Sequence, residues 1–380
     1  MSFQPVLFDS NSSGAFCESE DYLTKQIITY IGNKRSLLSF IDKGVLLVQK
    51  KLNKNKLRLF DVFSGSGIVA RHFKRYASLL LANDLEKYSK TINDCYLSNK
   101  TDLNIPRLKR IYTELLDEIV NKPLRSGVIA DLYAPVDDNN IKPGERVFYT
   151  RRNAMYIDTV RALIENITEK DKKYFLAPLL SESSVHSNTS GIFKSFYKNK
   201  KTKVGQFGGS NQDALSRIKG DITLPFPVFS NFNCEVMVYN YDSNNVVKIA
   251  PEVDLAYLDP PYNQHPYGSN YFMLNLILEN KYPEALSKVS GIPETWNRST
   301  YNKKQYACKA LSDLCANVKA KYVLISFNSE GFIPLEEMQD MLKNIGKLEV
   351  LETAYNTFRA CRNLHGRDIH VKEYLYLLEK

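Results

Sequence analysis

The stretch that most restricts the fold runs from residue 58 to residue 99. RLFDVF (58–63) is a short apolar strand that ends in the turn SGSG, and IVARHFKRYA (68–77) follows with helical spacing. SLLLAND (78–84) reads as a second strand closed by an acid, and KYSKTINDCYLSN (87–99) as a second helix. Parallel strands need a crossover connection, and a helix supplies it. Strand, helix, strand, helix therefore predicts a parallel sheet covered by helices, the layout of an α/β fold.

This grammar breaks after residue 99 and resumes at 233. Residues 103–121, 153–166 and 171–186 have helical spacing, 122–150 are rich in turn formers, and 193–212 are basic, aromatic and glycine-containing. Strands return with CEVMVYNYD (234–242), DLAYLDPP (254–261) and YVLISFN (322–328), with helices over 308–320 and 334–346. LEVLETAY (348–355) and EYLYLLEK (373–380) alternate in polarity and predict a final antiparallel hairpin. The expectation is a seven-stranded, mostly parallel sheet. A first part spans residues 1–99, an insertion 100–232, and the rest of the sheet 233–380.

At 380 residues the chain can bury a sizeable core. No apolar run approaches the ~18 residues of a membrane span. The first residues lack the basic start and apolar stretch of a signal peptide, so a cytoplasmic enzyme is expected. Six cysteines at 17, 95, 234, 308, 315 and 361 form no C-x-x-C pair, and no histidine cluster accompanies them. Neither a metal nor disulfides are expected. The net charge of +9 suits an anionic partner or a generally solvated surface, and the placement of the charges decides between these.

Three stretches carry chemistry. In DVFSGSGIVA (61–70), Gly65, Gly67 and Ala70 make a loose G-x-G-x-x-A at a strand-to-helix turn, and Asp84 ends the next strand. Glycines there let a cofactor approach the backbone, and an acid there can bind two ribose hydroxyls. A tight turn with a capping acid is the plainer alternative. The pattern does not name the cofactor, but Asp61 before the turn would repel a pyrophosphate and suit a cation. That favours S-adenosylmethionine over a nicotinamide dinucleotide. In YIGNKR (30–35), Gly32 allows close approach and Lys34 can pair with a carboxylate.

The third stretch, LDPPY (258–262), ends a strand, because Pro260 and Pro261 cannot donate to a ladder. Asp259 can accept from an exocyclic amine, the Pro260 carbonyl can accept its second hydrogen, and Tyr262 can stack on a base. Together they suit a planar aminated heterocycle.

YIGNKR, DVFSGSG, AND (82–84) and LDPPY, in this order, resemble the N6-adenine-specific DNA methyltransferases of the D12 class. The resemblance implies a Rossmann-like class I S-adenosylmethionine-dependent fold and a target-recognition role for the insertion. It implies methyl transfer to N6 of an adenine flipped out of double-stranded DNA. It places the cofactor on Tyr30, Lys34, Asp61, Phe63, Gly65, Gly67 and Asp84. Asp242 matches the acid that contacts the cofactor adenine, or is an ordinary strand-end turn acid. The catalytic set is Asp259, Pro260, Pro261 and Tyr262. A restriction endonuclease acting on the same site is an open partner.

DNA contacts are expected from the lysine-rich loop with Lys194, Lys198, Lys200 and Lys201, where Phe193, Phe196 and Tyr197 interleave. Further candidates are Arg151 and Arg152, Asn188 in SNTSGIF (187–193), and Arg359 and Arg362 in the C-terminal loop. Lysines suit phosphates and arginines can read guanine edges. Competing readings are an RNA adenine or a cytosine N4 methyltransferase, a catalytically idle nucleic-acid-binding protein, and a nicotinamide-dependent oxidoreductase. The acids at 61, 84 and 259 speak against the idle protein.

Overall fold

A computed structural model of the chain describes residues 17–209, 212, 214–356 and 370–380. Seven strands form one sheet: β1 (Leu57–Asp61), β2 (Ala77–Asn83), β3 (Glu235–Tyr239), β4 (Val253–Leu258), β5 (Ala320–Asn328), β6 (Lys347–Asn356) and β7 (His370–Glu379). Their order is β3-β2-β1-β4-β5-β7-β6. The first five are parallel, and β7 runs antiparallel to both β5 and β6.

Alternation along the inner strands sorts their side chains into two apolar layers. Phe60, Leu79, Leu81, Ala256, Leu258, Val323 and Ile325 face one side. Leu57, Leu59, Leu80, Leu255, Tyr257 and Leu324 face the other. The first layer packs against residues from helices Ser243–Ile249, Lys304–Asn317 and Leu335–Lys343. The second packs against Leu38–Leu52 and Ile68–Phe73. Both faces are covered, which is why these strands read as near-continuous apolar runs.

Boundaries differ from the sequence reading where backbone geometry intervenes. β4 stops at Leu258 rather than 261, because the prolines that follow offer no ladder donor. Helix Ile68–Phe73 ends before residue 77, because Ala77 already pairs with Leu57. The hairpin forms, but β7 rather than β6 lies beside β5. The first residues of β7 therefore reach the same sheet edge as the last residues of β5: Glu373 pairs with Asn328.

Between β2 and β3 lie helices Ile105–Asn121, Val128–Tyr133, Arg151–Ile164, Glu169–Val185 and Leu215–Lys219. Their buried residues, such as Tyr133, Ile157 and Phe175, join one cluster with Tyr88 and Ile92 of helix Lys87–Tyr96 and with Phe272 and Leu276. This apolar core is thus continuous with the helices that cover the sheet. No helix among the described residues is long and apolar enough to cross a membrane.

Candidate active site at the sheet's switch point

Strand order reverses between β1 and β4: the chain steps outward from β1 through β2 to β3, then returns to β1's other side. Open α/β sheets bind ligands at the carboxyl edge of such a point. A cavity open to solvent lies there, with about 830 Å³ of empty space including its mouth. Its lining draws on YIGNKR, the glycine turn, the ends of β2 and β3 and the DPP turn.

The glycine turn is held from below. Gly65 and Gly67 have φ of +50° and +77°, a region that side chains with a Cβ rarely enter. A Cβ on Gly65 would lie 2.8 Å from the Tyr30 ring. The Gly65 amide donates to Asp84 Oδ2 at 2.8 Å, and the Glu86 amide to Oδ1 at 2.9 Å. Asn83 ties three strand ends together. Its Nδ2 donates to the carbonyls of Val62 and Tyr241, and its Oδ1 accepts from the Tyr241 amide.

Asp61, at the end of β1, is 1% exposed. Among the described residues, no hydrogen bond of good distance and angle reaches either carboxylate oxygen, and only the backbone amides of Ala70 and Phe63 approach it. Burial pushes its carboxyl well above the usual range, and the nearby Asp259 and Asp84 carboxylates add to this. A buried carboxylate without a partner is costly, and such a group is a receptor for a cation.

The Lys34 ammonium, almost fully buried, lies 3.3 Å from Asp259 Oδ1 and 3.8 Å from Glu373 Oε1. Burial opposes its charge, but the Asp259 and Glu373 carboxylates outweigh that and hold it well above the ordinary lysine value. Lys34 was expected to meet a ligand's carboxylate; the partners found here are two of the protein's own acids. Burial raises the Asp259 carboxyl, and Lys34 offsets part of that rise.

Tyr30 stacks against both Tyr267 and Tyr271, with ring centroids at 4.9 and 4.7 Å, and those two rings lie 6.0 Å from each other. The Tyr267 hydroxyl donates to the Ile31 carbonyl, and the Ile31 amide donates to the Tyr271 hydroxyl. Glu86, 2% exposed, accepts from the Asn275 amide at 2.7 Å. Burial, and then Asp84, push its carboxyl up to about 7. Tyr267 and Glu86 line the cavity and were missed in the sequence. The aromatic spacing of Tyr267 and Tyr271, four residues apart just after DPPY, was the available signal.

Of the residues singled out beforehand, Tyr30, Lys34, Phe63, Gly65, Asp84, Asp242, Asp259 and Pro261 line this cavity. Asp61 and Gly67 adjoin the lining residues Val62 and Ser66 in the chain, and Pro260 and Tyr262 adjoin Pro261. Asp242 also caps helix Ser243–Ile249 by accepting from the amides of Asn244 and Asn245. No hydrogen bond to the Pro260 carbonyl occurs among the described residues. Tyr262 packs edge-on against Phe327, and its carbonyl accepts from the Phe332 amide.

Several of the residues expected to contact DNA have partners within the protein. Asn188 is fully buried, and its amide is spent on the carbonyls of Val147 and Gln206 and the amide of Gly208. It holds the loop together and offers nothing outward. The Arg151 guanidinium donates to the Ala130 carbonyl and to Ser126 Oγ. Arg152 pairs with Asp221 at 2.7 Å. Phe193 and Phe196 belong to the core rather than to a stacking surface. Lys194, Lys200 and Lys201 are exposed, and Lys198 sits over the Phe196 ring. This loop docks on the segment that follows the DPP turn: the Phe193 amide donates to the Asn270 carbonyl, and Ser290 Oγ to the Lys194 carbonyl. Arg359 and Arg362 lie outside the described residues. Among the described residues no group of three or more His, Cys, Asp or Glu side chains is placed to hold a metal ion.

Residues 30–341 match the model of the D12 class N6 adenine-specific DNA methyltransferases. The chain is 30% identical to the type II methyltransferase M.NlaIII of Neisseria lactamica, over 93% of this chain and 99% of that protein. It is 30% identical to M.CviAII of Paramecium bursaria Chlorella virus 1, over 92% and 98%. M.FokI of Planomicrobium okeanokoites is 26% identical over 92% of this chain but only 52% of its own length.

Proposed function

The chain belongs to the D12 class of N6 adenine-specific DNA methyltransferases, and on that premise we propose how its residues carry out site-specific DNA methylation. The observation that carries the reading is the shared cavity. It joins the glycine turn, with the unpartnered Asp61 behind it, to the Asp259 turn.

S-adenosylmethionine fits this cavity, and it supplies a methyl group on a sulfonium when bound. Asp61 would hold its ammonium, since a partnerless buried carboxylate gains most from a cation. Asp84 and Asp242 would face its ribose and adenine. Gly65 lets the Tyr30 ring close on the turn, where a Cβ would collide with it.

Asp259 and the Pro260 carbonyl would accept the two hydrogens of the target adenine's amino group. That nitrogen's lone pair is delocalised into the ring, so it is a weak nucleophile. Two acceptors pull it toward tetrahedral geometry and turn the lone pair to the methyl group. Their bonds strengthen as positive charge develops on the nitrogen, so they favour the transition state over the ground state. The ionised Asp259 stabilises that charge until the proton leaves. The target must leave the duplex to reach the cavity, and Tyr262 would replace its lost stacking, worth roughly 1–3 kcal/mol. The exposed Lys194, Lys200 and Lys201, with Lys198, would bind phosphates, and residues 100–232 would supply target recognition.

The activity is thus that of an adenine-specific site-specific DNA-methyltransferase acting on double-stranded DNA. A restriction endonuclease cutting at the same site would be its natural partner. Expression in a host without DNA methylation, followed by sequencing for modified bases, tests this. N6-methyladenine at one recurring motif is expected. An unmodified genome, or modified cytosine, would overturn the reading.

A further inference from the structure

Glu373 has no place in the motifs, yet it reaches the active edge. β7 is antiparallel, so its early residues lie level with the carboxyl end of β5, where Glu373 pairs with Asn328. The residue is 3% exposed. One carboxylate oxygen lies 3.8 Å from the Lys34 ammonium, and the other has no hydrogen-bond partner. Lys34 in turn lies 3.3 Å from Asp259. A single buried cation is therefore shared by a buried acid and a half-buried one, 114 residues apart in the chain.

We propose that Glu373 is a positioning residue for methyl transfer: it tethers the Lys34 ammonium beside Asp259 and so sets the charge and orientation of the carboxylate that receives the target amine. The inference rests on the reading of Asp259 given above. A lysine side chain has four rotatable carbon–carbon bonds, and one partner would leave its ammonium free to swing. Two partners on different strands hold it in place. The cost is a second buried acid that repels Asp259.

The groups facing this cluster are few among the described residues. Lys34 is faced by Asp259, Glu373, Tyr262 and Tyr257. Glu373 is faced by Lys34 and Asp259, and burial raises its carboxyl before Lys34 offsets part of that. Asp259 is also felt by Asp61, Tyr257 and Tyr267. Glu373 partly cancels the field of Lys34 at Asp259. Removing its charge leaves that field whole, which stabilises the ionised Asp259. Transfer needs Asp259 ionised, so the acid limb of the rate profile moves to lower pH.

The test is the single-turnover methylation rate against pH, with DNA and S-adenosylmethionine saturating, for Glu373→Gln, Glu373→Asp and the unaltered enzyme. Glu373→Gln should lower the plateau rate about 10- to 100-fold through misplacement and shift the acid limb to lower pH. Glu373→Asp keeps the charge but shortens the tether. It should lower the plateau and leave the acid limb in place. An acid limb unmoved in Glu373→Gln, with only the melting temperature lowered, would show a structural role and overturn the proposal. Should Glu373→Gln not fold, an unchanged plateau in Glu373→Asp would overturn it equally. Asp259→Asn in the same assay separates the two claims: methylation near the unaltered rate there refutes the reading of Asp259 itself.

Discussion

The ring of Tyr267 stacks on that of Tyr30 at 4.9 Å, joining the segment after DPPY to the one that carries Lys34. The two come from chain positions 237 residues apart, and both rings line the cavity. The Tyr267 hydroxyl also holds the Ile31 carbonyl at 3.2 Å. Tyr267→Ala removes a stacked pair worth about 0.5–1.5 kcal/mol and a hydrogen bond worth about 1 kcal/mol. S-adenosylmethionine affinity, read by calorimetry, should fall about 10-fold or more, whereas Tyr267→Phe should keep most of it.

Glu86 makes stability depend on pH. Its folded-state value of about 7 lies above the ordinary glutamate value of 4.5. A group raised in this way contributes stability that is complete below the unfolded value and is lost as pH rises through the folded one. The loss falls between about pH 4.5 and 7 and is at most on the order of 3 kcal/mol. Glu86→Gln can still accept from Asn275 and has no charge to bury. Urea melts of both proteins at pH 5 and pH 8 should show the variant gaining on the unaltered chain at the higher pH. A gap that does not change with pH would contradict this.

Asn188 and the nearby lysines separate a structural from an electrostatic role. Asn188→Ala leaves the carbonyls of Val147 and Gln206 and the amide of Gly208 without their partner. That should cost about 2–4 kcal/mol of stability and leave the salt dependence of DNA binding unchanged. Joint replacement of Lys200 and Lys201 by Ala should leave stability alone. Each phosphate contact contributes about 0.9 to the slope of log affinity against log salt, so this slope should fall by nearly 2.

These contrasts mark where the sequence was readable. The order of strands and helices was legible because each parallel strand ends in an acid or a glycine turn. Those ends are where Asp61, Asp84 and Asp259 converge. The position of β7 between β5 and β6 was not legible, since an alternating hairpin reads the same whichever strand lies inward. Glu373 was lost with it. Asn83, Glu86 and Tyr267 gain their meaning only from partners far along the chain. Asn188 turns inward, and residue type alone does not reveal side-chain direction.

Asp61 offers the sharpest opposition of stability and function. Its carboxyl is buried, is approached only by the amides of Ala70 and Phe63 without a hydrogen bond of good geometry, and faces two further acids. Without a cation nearby, this destabilises the fold. Asp61→Asn removes the charge at nearly constant volume, so the variant without ligand should melt a few degrees higher than the unaltered protein. S-adenosylmethionine stabilises the unaltered protein in proportion to its binding, by about 2.7 kcal/mol at a hundredfold excess over Kd. The variant has no carboxylate for the ammonium, so its melting temperature should not respond to S-adenosylmethionine. Thermal melts of the two proteins, each with and without S-adenosylmethionine, provide all four values. A variant that melts lower yet keeps the ligand-induced shift would mean that Asp61 is a structural acid and that the ammonium binds elsewhere.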